Sequence, residues 1–326
     1  MSAISIAGAG PAGSAAALAA LAQGAQVRLF EKSQFPRHKV CGEFLSPEIQ
    51  PALESLGVWS AFLKASPAPI RSVRLYFGHH EKNWRLPQPA FGLSRYSLDK
   101  LLLDCAVSRG AELIREVFPS TLQPAILAYG RMAVATGENR LFGFKAHFTG
   151  PAENAVELFV GRDAYAGVSL IEDGATNVCG LAPESQLWAH GFDIDSWIGA
   201  WPALHDRLRP LTRSMDWLIT GPLVFSARLH SWNGPYRIGD ALGFIDPFTG
   251  SGILSALMTG TLAGVAAARR TPCREYLREC ARALRRQYRV SSVVRFAIRS
   301  GLAGTAARLL PGNLLFSLTR PNMVLK

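Results

Sequence analysis

The chain has 326 residues, of which 48% are hydrophobic and 18% charged, so it can bury a sizeable core and is not disordered as a whole. Lysine and arginine exceed aspartate and glutamate by 11. The whole excess lies in residues 269–326, with thirteen basic and two acidic side chains, which excludes a uniformly basic nucleic-acid binder and predicts a neutral body with a basic end.

Residues 3–7 form a short apolar run and predict a buried strand. Residues 12–23 are rich in Ala and Leu and predict a helix, and residues 26–30 predict a second strand. Together they make a βαβ unit. No charged residue precedes Arg28, yet no basic segment leads the apolar stretch and spaced glycines interrupt it, so a signal peptide is not expected. Ser46 with Pro47 is expected to open a helix that Gly57 ends, and Ser97 to precede one ending near Gly110.

The pattern then changes. Residues 141–148, 155–160, 165–171 and 176–181 read as successive strands of an antiparallel sheet, with Glu172, Asp173 and Gly174 as a hairpin turn. A helix is expected near 195–208 and strands at 223–228 and 236–238. The last of these enters a glycine-rich turn and a long helix after Gly250. Residues 248–268 are uncharged and long enough to span a bilayer, but Gly250, Gly252, Gly260 and Gly264 favour a helix buried within the protein. Arg274, Arg278, Arg282, Arg285, Arg286 and Arg289 recur at helical spacing beside Leu277, Ala281, Leu284 and Tyr288, which predicts a basic amphipathic helix.

Five widely spaced cysteines, without a CxxC pair, predict neither a disulfide framework nor a zinc site and fit a reducing cytoplasm. No histidine has metal spacing, and His79 and His80 are expected in a solvated turn. Trp188, Trp197, Trp201 and Trp217 are expected in the core, with a pocket lid as the sharper alternative.

Gly8, Gly10, Pro11, Ala12 and Gly13 belong to a GxGxxG stretch that follows a strand and opens a helix. Such a loop brings backbone N–H groups and a helix N-terminus to a pyrophosphate. Glu31 ends the second strand, where a carboxylate can bind ribose hydroxyls. A second turn far downstream contains Gly239, Asp240, Asp246, Pro247, Gly250, Gly252 and Ile253. Its aspartate can accept a ribityl hydroxyl, and its helix N-terminus can face a flavin ring.

These two turns, the segment 36–47 (PRHKVCGEFLSP) and the stretch 95–102 (RYSLDKLL) resemble the flavoprotein oxidoreductases of the para-hydroxybenzoate hydroxylase type, in particular the geranylgeranyl reductase-like branch. The resemblance covers most of residues 1–268. It implies an α/β fold: a Rossmann-like FAD-binding domain, an inserted antiparallel β-sheet substrate domain and a helical C-terminal segment. The implied division is FAD-binding residues 1–70, 94–140 and 231–268, substrate-domain residues 71–93 and 141–230, and a basic helical segment, 269–326. It also places Lys32, Arg37, Cys41, Gly42 and Arg95 at the FAD.

The sequence departs from the family at residues 128–131, where Tyr129 stands in the place of the aspartate of a central Asp-Gly motif that helps bind FAD and NADPH, so the electron donor is open. Neither the tryptophan motif nor the active-site lysine of flavin halogenases is evident. Cys41 reads either as a proton donor beside the flavin, acidified by Arg37, His38 and Lys39, or as a small packing residue. Glu43 reads as a second proton donor or as an ion-paired loop glutamate. Tyr165, Asn177 and Cys179 lie on a hairpin whose alternation sends half of its side chains to a pocket.

The expected function is FAD-dependent reduction of carbon–carbon double bonds in an apolar, isoprenoid- or polyketide-like substrate. Hydroxylation through a flavin hydroperoxide is the alternative within enzymes. A flavin-binding protein without independent catalysis is the alternative outside them. The basic helix either docks on an anionic membrane surface or caps the substrate domain, and no nucleic-acid motif is present. The oligomeric state is left open.

Overall fold

The computed structural model describes residues 2–78, 80–131, 140–223, 225–227, 234–244, 248 and 250–300. His79, Asp246 and Pro247 therefore lie outside the described residues.

The chain begins with β1 (Ile4–Ala7), α1 (Pro11–Ala22), β2 (Val27–Phe30), β3 (Phe44–Leu45), α2 (Ile49–Ser55) and α3 (Trp59–Lys64). A long hairpin, β4 (Ala68–Phe77) and β5 (His80–Gly92), leads to α4 (Arg95–Ser108), β6 (Glu112–Ile114) and β7 (Ile126–Leu127). The second excursion comprises β8 (Leu141–Thr149), β9 (Ala155–Val160), β10 (Tyr165–Leu170) and β11 (Thr176–Pro183). It continues with α5 (Glu184–Ala189), α6 (Ile194–Gly199), α7 (Pro202–Leu208), β12 (Thr212–Arg213), β13 (Leu218–Leu223) and β14 (Ser226–Ala227). The return consists of β15 (Tyr236–Arg237), β16 (Gly243–Phe244), α8 (Gly252–Arg269) and α9 (Cys273–Arg299).

Two main sheets organise these elements. The first is parallel, in the order β15-β7-β1-β2-β6. It is the Rossmann-like sheet, with α1 crossing over between β1 and β2. The second runs β12-β8-β11-β10-β9-β4-β5-β3, with β13 also paired to β8. Its β4–β9 pair is parallel, so the sheet is mixed rather than purely antiparallel. The cause is topological: β4 comes from the first excursion and β9 from the second, and no short turn joins them.

Strand alternation gives the second sheet two faces. Phe144, Ala146, Phe148, Ala166, Val168 and Val178 pack against α5, α6 and α7. Trp197, 1% exposed, meets the Phe144 ring edge-on at 5.1 Å. Trp201 lies 4.8 Å from Trp197, and Trp217 packs on Phe144 and Phe148. These tryptophans belong to a core on the far side of the sheet, not to a pocket lid, and Trp188 is exposed.

Several local expectations shift. The helix expected from Ser46 begins at Ile49 and has no side-chain cap, because residues 46–48 form a turn first. The cap of α4 is Ser94 rather than Ser97; its hydroxyl accepts from the Ser97 N–H at 3.1 Å. Residues 195–208 form two helices, since Trp201 turns the backbone out of the helical region before Pro202 starts α7. The strand expected at 223–228 is instead the end of β13 followed by β14.

The apolar helix α8 lies against α1. A Cβ on Gly260 would stand 2.3 Å from the Ala12 carbonyl oxygen, and one on Gly264 2.3 Å from that of Ala16. This is a backbone-on-backbone seam, and it orients the helix whose N-terminus forms the phosphate loop. Replacing Gly260 with alanine should therefore force the two helices apart at a cost of about 1–3 kcal/mol. A lowered urea midpoint is the expected result, and an unchanged midpoint would contradict the seam.

Candidate functional site

The N-terminal loop is held by several contacts. Gly8 adopts φ +108°, a conformation that L side chains rarely adopt, and a Cβ there would meet the Ala128 carbonyl oxygen at 2.4 Å. A Cβ on Gly13 would run into the Gly8 oxygen at 1.8 Å, so the helix can start only this close to the strand without a side chain. A Cβ on Gly10, by contrast, would meet nothing within 4 Å, and the loop is open where it faces the cleft. Pro11 is the first residue of α1, and Ala12 follows it into the cleft wall. Glu31 braces the loop by accepting the Ala9 N–H at 3.0 Å through one oxygen and the Ser33 N–H at 2.9 Å through the other.

The downstream turn reaches the same cleft. Gly239 donates its N–H to Thr259 Oγ1 at 2.9 Å, which ties the turn to α8. Asp240, Gly250, Gly252 and Ile253 line the cleft, with Gly250 at φ +63° where Phe44 crowds it. Burial pushes the Asp240 carboxyl pKa up, opposed by the charges of Arg131, Arg95 and Lys39. Lys32, Arg37, Lys39, Arg95 and Arg131 all line the cavity as well. Burial, reinforced by Arg37 and Arg95, lowers the Lys39 ammonium to about 8. Arg95 is desolvated too, but its two-point pairing with Asp99, at 2.6 and 2.7 Å, outweighs that and keeps it charged.

The cavity measures about 1470 Å³, above the roughly 300–1,000 Å³ of an ordinary small-molecule pocket. One end is polar and lies at the phosphate loop. The other lies under the second sheet, floored by Val73, Leu75, Trp84, Val156, Leu158 and Tyr165 and bounded by Phe244, Phe248, Val290 and Val294. Pairing of Tyr165 with Leu181 and of Gly167 with Cys179 puts Tyr165 and Cys179 on this inner face. Asn177 is on it too: its amide nitrogen donates to the Cys41 and Gly42 carbonyls at 3.2 and 2.9 Å, while its Oδ1 is buried without a hydrogen-bond partner.

Between the two ends lies a cluster of charged side chains that sequence reading missed in part. Glu43 is completely buried, at φ +53°. One carboxylate oxygen accepts from the Arg95 backbone N–H at 2.6 Å and from the buried Lys145 ammonium. The other pairs with His147 Nε2 at 2.7 Å. His38 packs edge-on against His147 at 5.2 Å and stacks on Tyr96 toward the surface. Burial lowers the His38 pKa, and Lys145 adds to the effect. For Glu43, burial favours the neutral acid, but the His147 hydrogen bond and the Lys145 charge prevail and hold the carboxyl below its usual value.

These facts decide between the two readings of Glu43, in favour of the ion-paired one, and correct the acidified reading of Cys41. A carboxyl held ionised does not donate a proton at neutral pH, so Glu43 is a charged anchor rather than an acid. Cys41 is not acidified by its basic sequence neighbours; burial raises its pKa, and the charges that oppose this are those of Arg95 and Lys145. Its sulfur accepts the Glu43 N–H at 3.4 Å and stays a thiol at the cavity wall. Burial likewise pushes the neighbouring Cys179 up to about 12. The signal for Lys145 and His147 was legible: they stand two apart in Phe-Lys-Ala-His-Phe, which places two polar groups on one face of an aromatic strand.

The residues fit an FAD. Arg37 Nε is a buried donor at the cleft with no hydrogen-bond partner, and the crowded cations around it would be relieved by a diphosphate. Fold and cleft together define the class: the chain has the fold of the FAD-dependent oxidoreductases, and FAD is the cofactor that this cleft suits. Comparisons agree on the fold. Residues 3–116 match the tryptophan halogenase family. The flavin-dependent brominase Bmp2, as a triple mutant, superposes with a TM-score of 0.79 at 18% identity, covering 97% of this chain and 93% of that one. A flavoprotein/dehydrogenase from Cytophaga hutchinsonii gives 0.80 at 17%, covering 98% and 92%. A geranylgeranyl bacteriochlorophyll reductase-like protein from Thermoplasma acidophilum gives 0.71 at 18%, covering 98% and 91%. A curated menaquinone reductase from Mycobacterium tuberculosis is 34% identical over 114 residues, 33% of this chain, and the match spans 28% of that protein's length.

Replacing Glu43 with glutamine should leave Lys145 buried without a counter-charge and destabilise the protein by about 3–5 kcal/mol at neutral pH. Because the Glu43 pKa is lower folded than unfolded, its contribution is present above the unfolded carboxyl pKa and lost as pH falls through the folded one. The variant should accordingly show a flatter acid limb in a stability-against-pH series. A parallel acid limb would remove Glu43 from that role.

Proposed function

We propose that this protein is an FAD-dependent enzyme that reduces an apolar, polyprenyl- or polyketide-like molecule at a carbon–carbon double bond. The observation that carries this reading is the continuity of a single cavity, from the glycine loop to an inner sheet face built from Val, Leu, Trp and Tyr. Such a wall recognises apolar length by burial rather than by hydrogen bonds. The menaquinone reductase relative supports a reductive direction and an apolar quinone-like substrate. The family match to halogenases ends at residue 116, so it takes in Val73, Leu75 and Trp84 of this wall but not Val156, Leu158 or Tyr165.

When bound, FAD supplies the hydride chemistry. The chain's own residues position and protonate. The glycine loop and helix α1 hold the pyrophosphate end, and Asp240 with Arg131 and Arg95 surrounds the middle of the cleft. Asn177 holds the Cys41 and Gly42 carbonyls, and the next residue, Glu43, is fixed by Lys145, His147 and the Arg95 N–H, so the segment sits firmly at the junction of the polar and apolar ends. The Cys41 thiol, protonated because it is buried, is the group placed to give a proton to a carbanion-like carbon. A raised thiol pKa suits this task, since the acceptor is a far stronger base than a thiolate.

Cys41→Ala should retain flavin and lose about a hundredfold or more in turnover. Equal turnover in that variant would take Cys41 out of the chemistry. Reduction against hydroxylation is decided by supplying reduced flavin and a polyprenyl quinone under anaerobic conditions and then under labelled oxygen. A saturated product formed without oxygen is expected, and stoichiometric label in the product would establish hydroxylation instead.

A further inference from the structure

Helix α9 is fastened on its inner side. Tyr276 donates its hydroxyl to the Arg237 carbonyl at 2.6 Å, and Gln287 accepts from Ser255 at 2.9 Å and donates to the Ser251 carbonyl at 3.2 Å. Leu277, Cys280 and Leu284 are buried between these polar contacts. The helix is therefore a fixed wall of the protein, and its outward stripe has a set direction.

That stripe carries Arg278, Arg282, Arg285 and Arg289, all exposed, and then Val293 and Phe296, each 67% exposed. Its spacing of three and four residues puts the six on one face. A basic run giving way to large exposed apolar groups has two needs at once, negative charge and an apolar medium. Glu275 and Glu279, the acidic residues of this helix, lie at its opposite end from Val293 and Phe296. The cavity reaches the surface at the same place: Arg289, Val290, Val293 and Ala297 line it. Val293 is thus both a cavity wall and an exposed side chain.

We propose that the outer face of α9 docks on an anionic phospholipid bilayer, with the arginines at the headgroups and Val293 and Phe296 at the acyl boundary. An apolar molecule can then pass between bilayer and cavity without crossing water. Charge complementarity and the exposed apolar end select this partner over nucleic acid, which has no use for a solvent-facing Val–Phe pair. The docking surface stands apart from the catalytic reading, because it is built from exposed residues and can be measured without flavin or substrate.

The test is flotation of the full chain with phosphatidylcholine vesicles, with and without phosphatidylglycerol, at low and high salt. Binding only to the phosphatidylglycerol vesicles, weakened by salt, is expected. Each arginine near such a surface strengthens binding by about fivefold, so Arg282→Glu with Arg285→Glu should lower it by about 25-fold or more. Phe296→Ser should weaken the binding that survives in high salt. These three residues are exposed and do not line the cavity, so thermal transitions of the variants should match the parent. Failure to float with phosphatidylglycerol vesicles would overturn the proposal. So would equal flotation of the charge-reversed variant, or retention on duplex DNA by a protein that ignores the vesicles. Vesicle binding without flavin turnover would leave the surface standing and refute only the catalytic reading.

Discussion

A fully buried carboxylate connects the two halves of this protein. Glu43 arrives on a loop from the first sheet, in a left-handed backbone conformation. Lys145 and His147 of the second sheet and the first N–H of α4 meet it there. Left unpaired in such a place, the carboxylate would cost several kcal/mol. Paired on both oxygens, it fixes how the nucleotide-binding half and the sheet half face each other. The cleft between phosphate loop and apolar wall owes its shape to that connection.

Small residues do the complementary work. Gly8 and Gly13 let strand, loop and helix approach within backbone contact, and Gly260 and Gly264 do the same between α1 and α8. The phosphate loop is therefore placed by packing from behind, not only by its own turn. The apolar helix α8, which composition alone would allow to span a bilayer, is spent on this seam.

Much of this was legible in the sequence. The βαβ unit, the strand boundaries at 155–160 and the hairpin at 172–174 follow from apolar periodicity and turn residues, which are local signals. Others needed tertiary information. The parallel β4–β9 pair joins segments about eighty residues apart, and nothing local records it. Ser94 displaced Ser97 as the cap because Glu172, from the distant hairpin, accepts from the Ser94 N–H at 2.7 Å and so fixes the turn. The polar pair Lys145 and His147 was visible as an alternation, but its meaning depended on knowing that Glu43 lies opposite. Cys41 was misjudged electrostatically because sequence neighbours were counted as spatial ones. Burial, which sequence does not show, decided the sign.

The central claim is that the two distant glycine turns enclose one FAD. It is tested most directly by titrating the purified, folded protein with FAD and following flavin fluorescence and visible absorption. Saturable uptake of one flavin per chain, lost when Gly13 is replaced by valine in a variant that keeps its helical spectrum, is the predicted result. A folded protein that stays colourless and leaves flavin fluorescence unchanged would contradict the account.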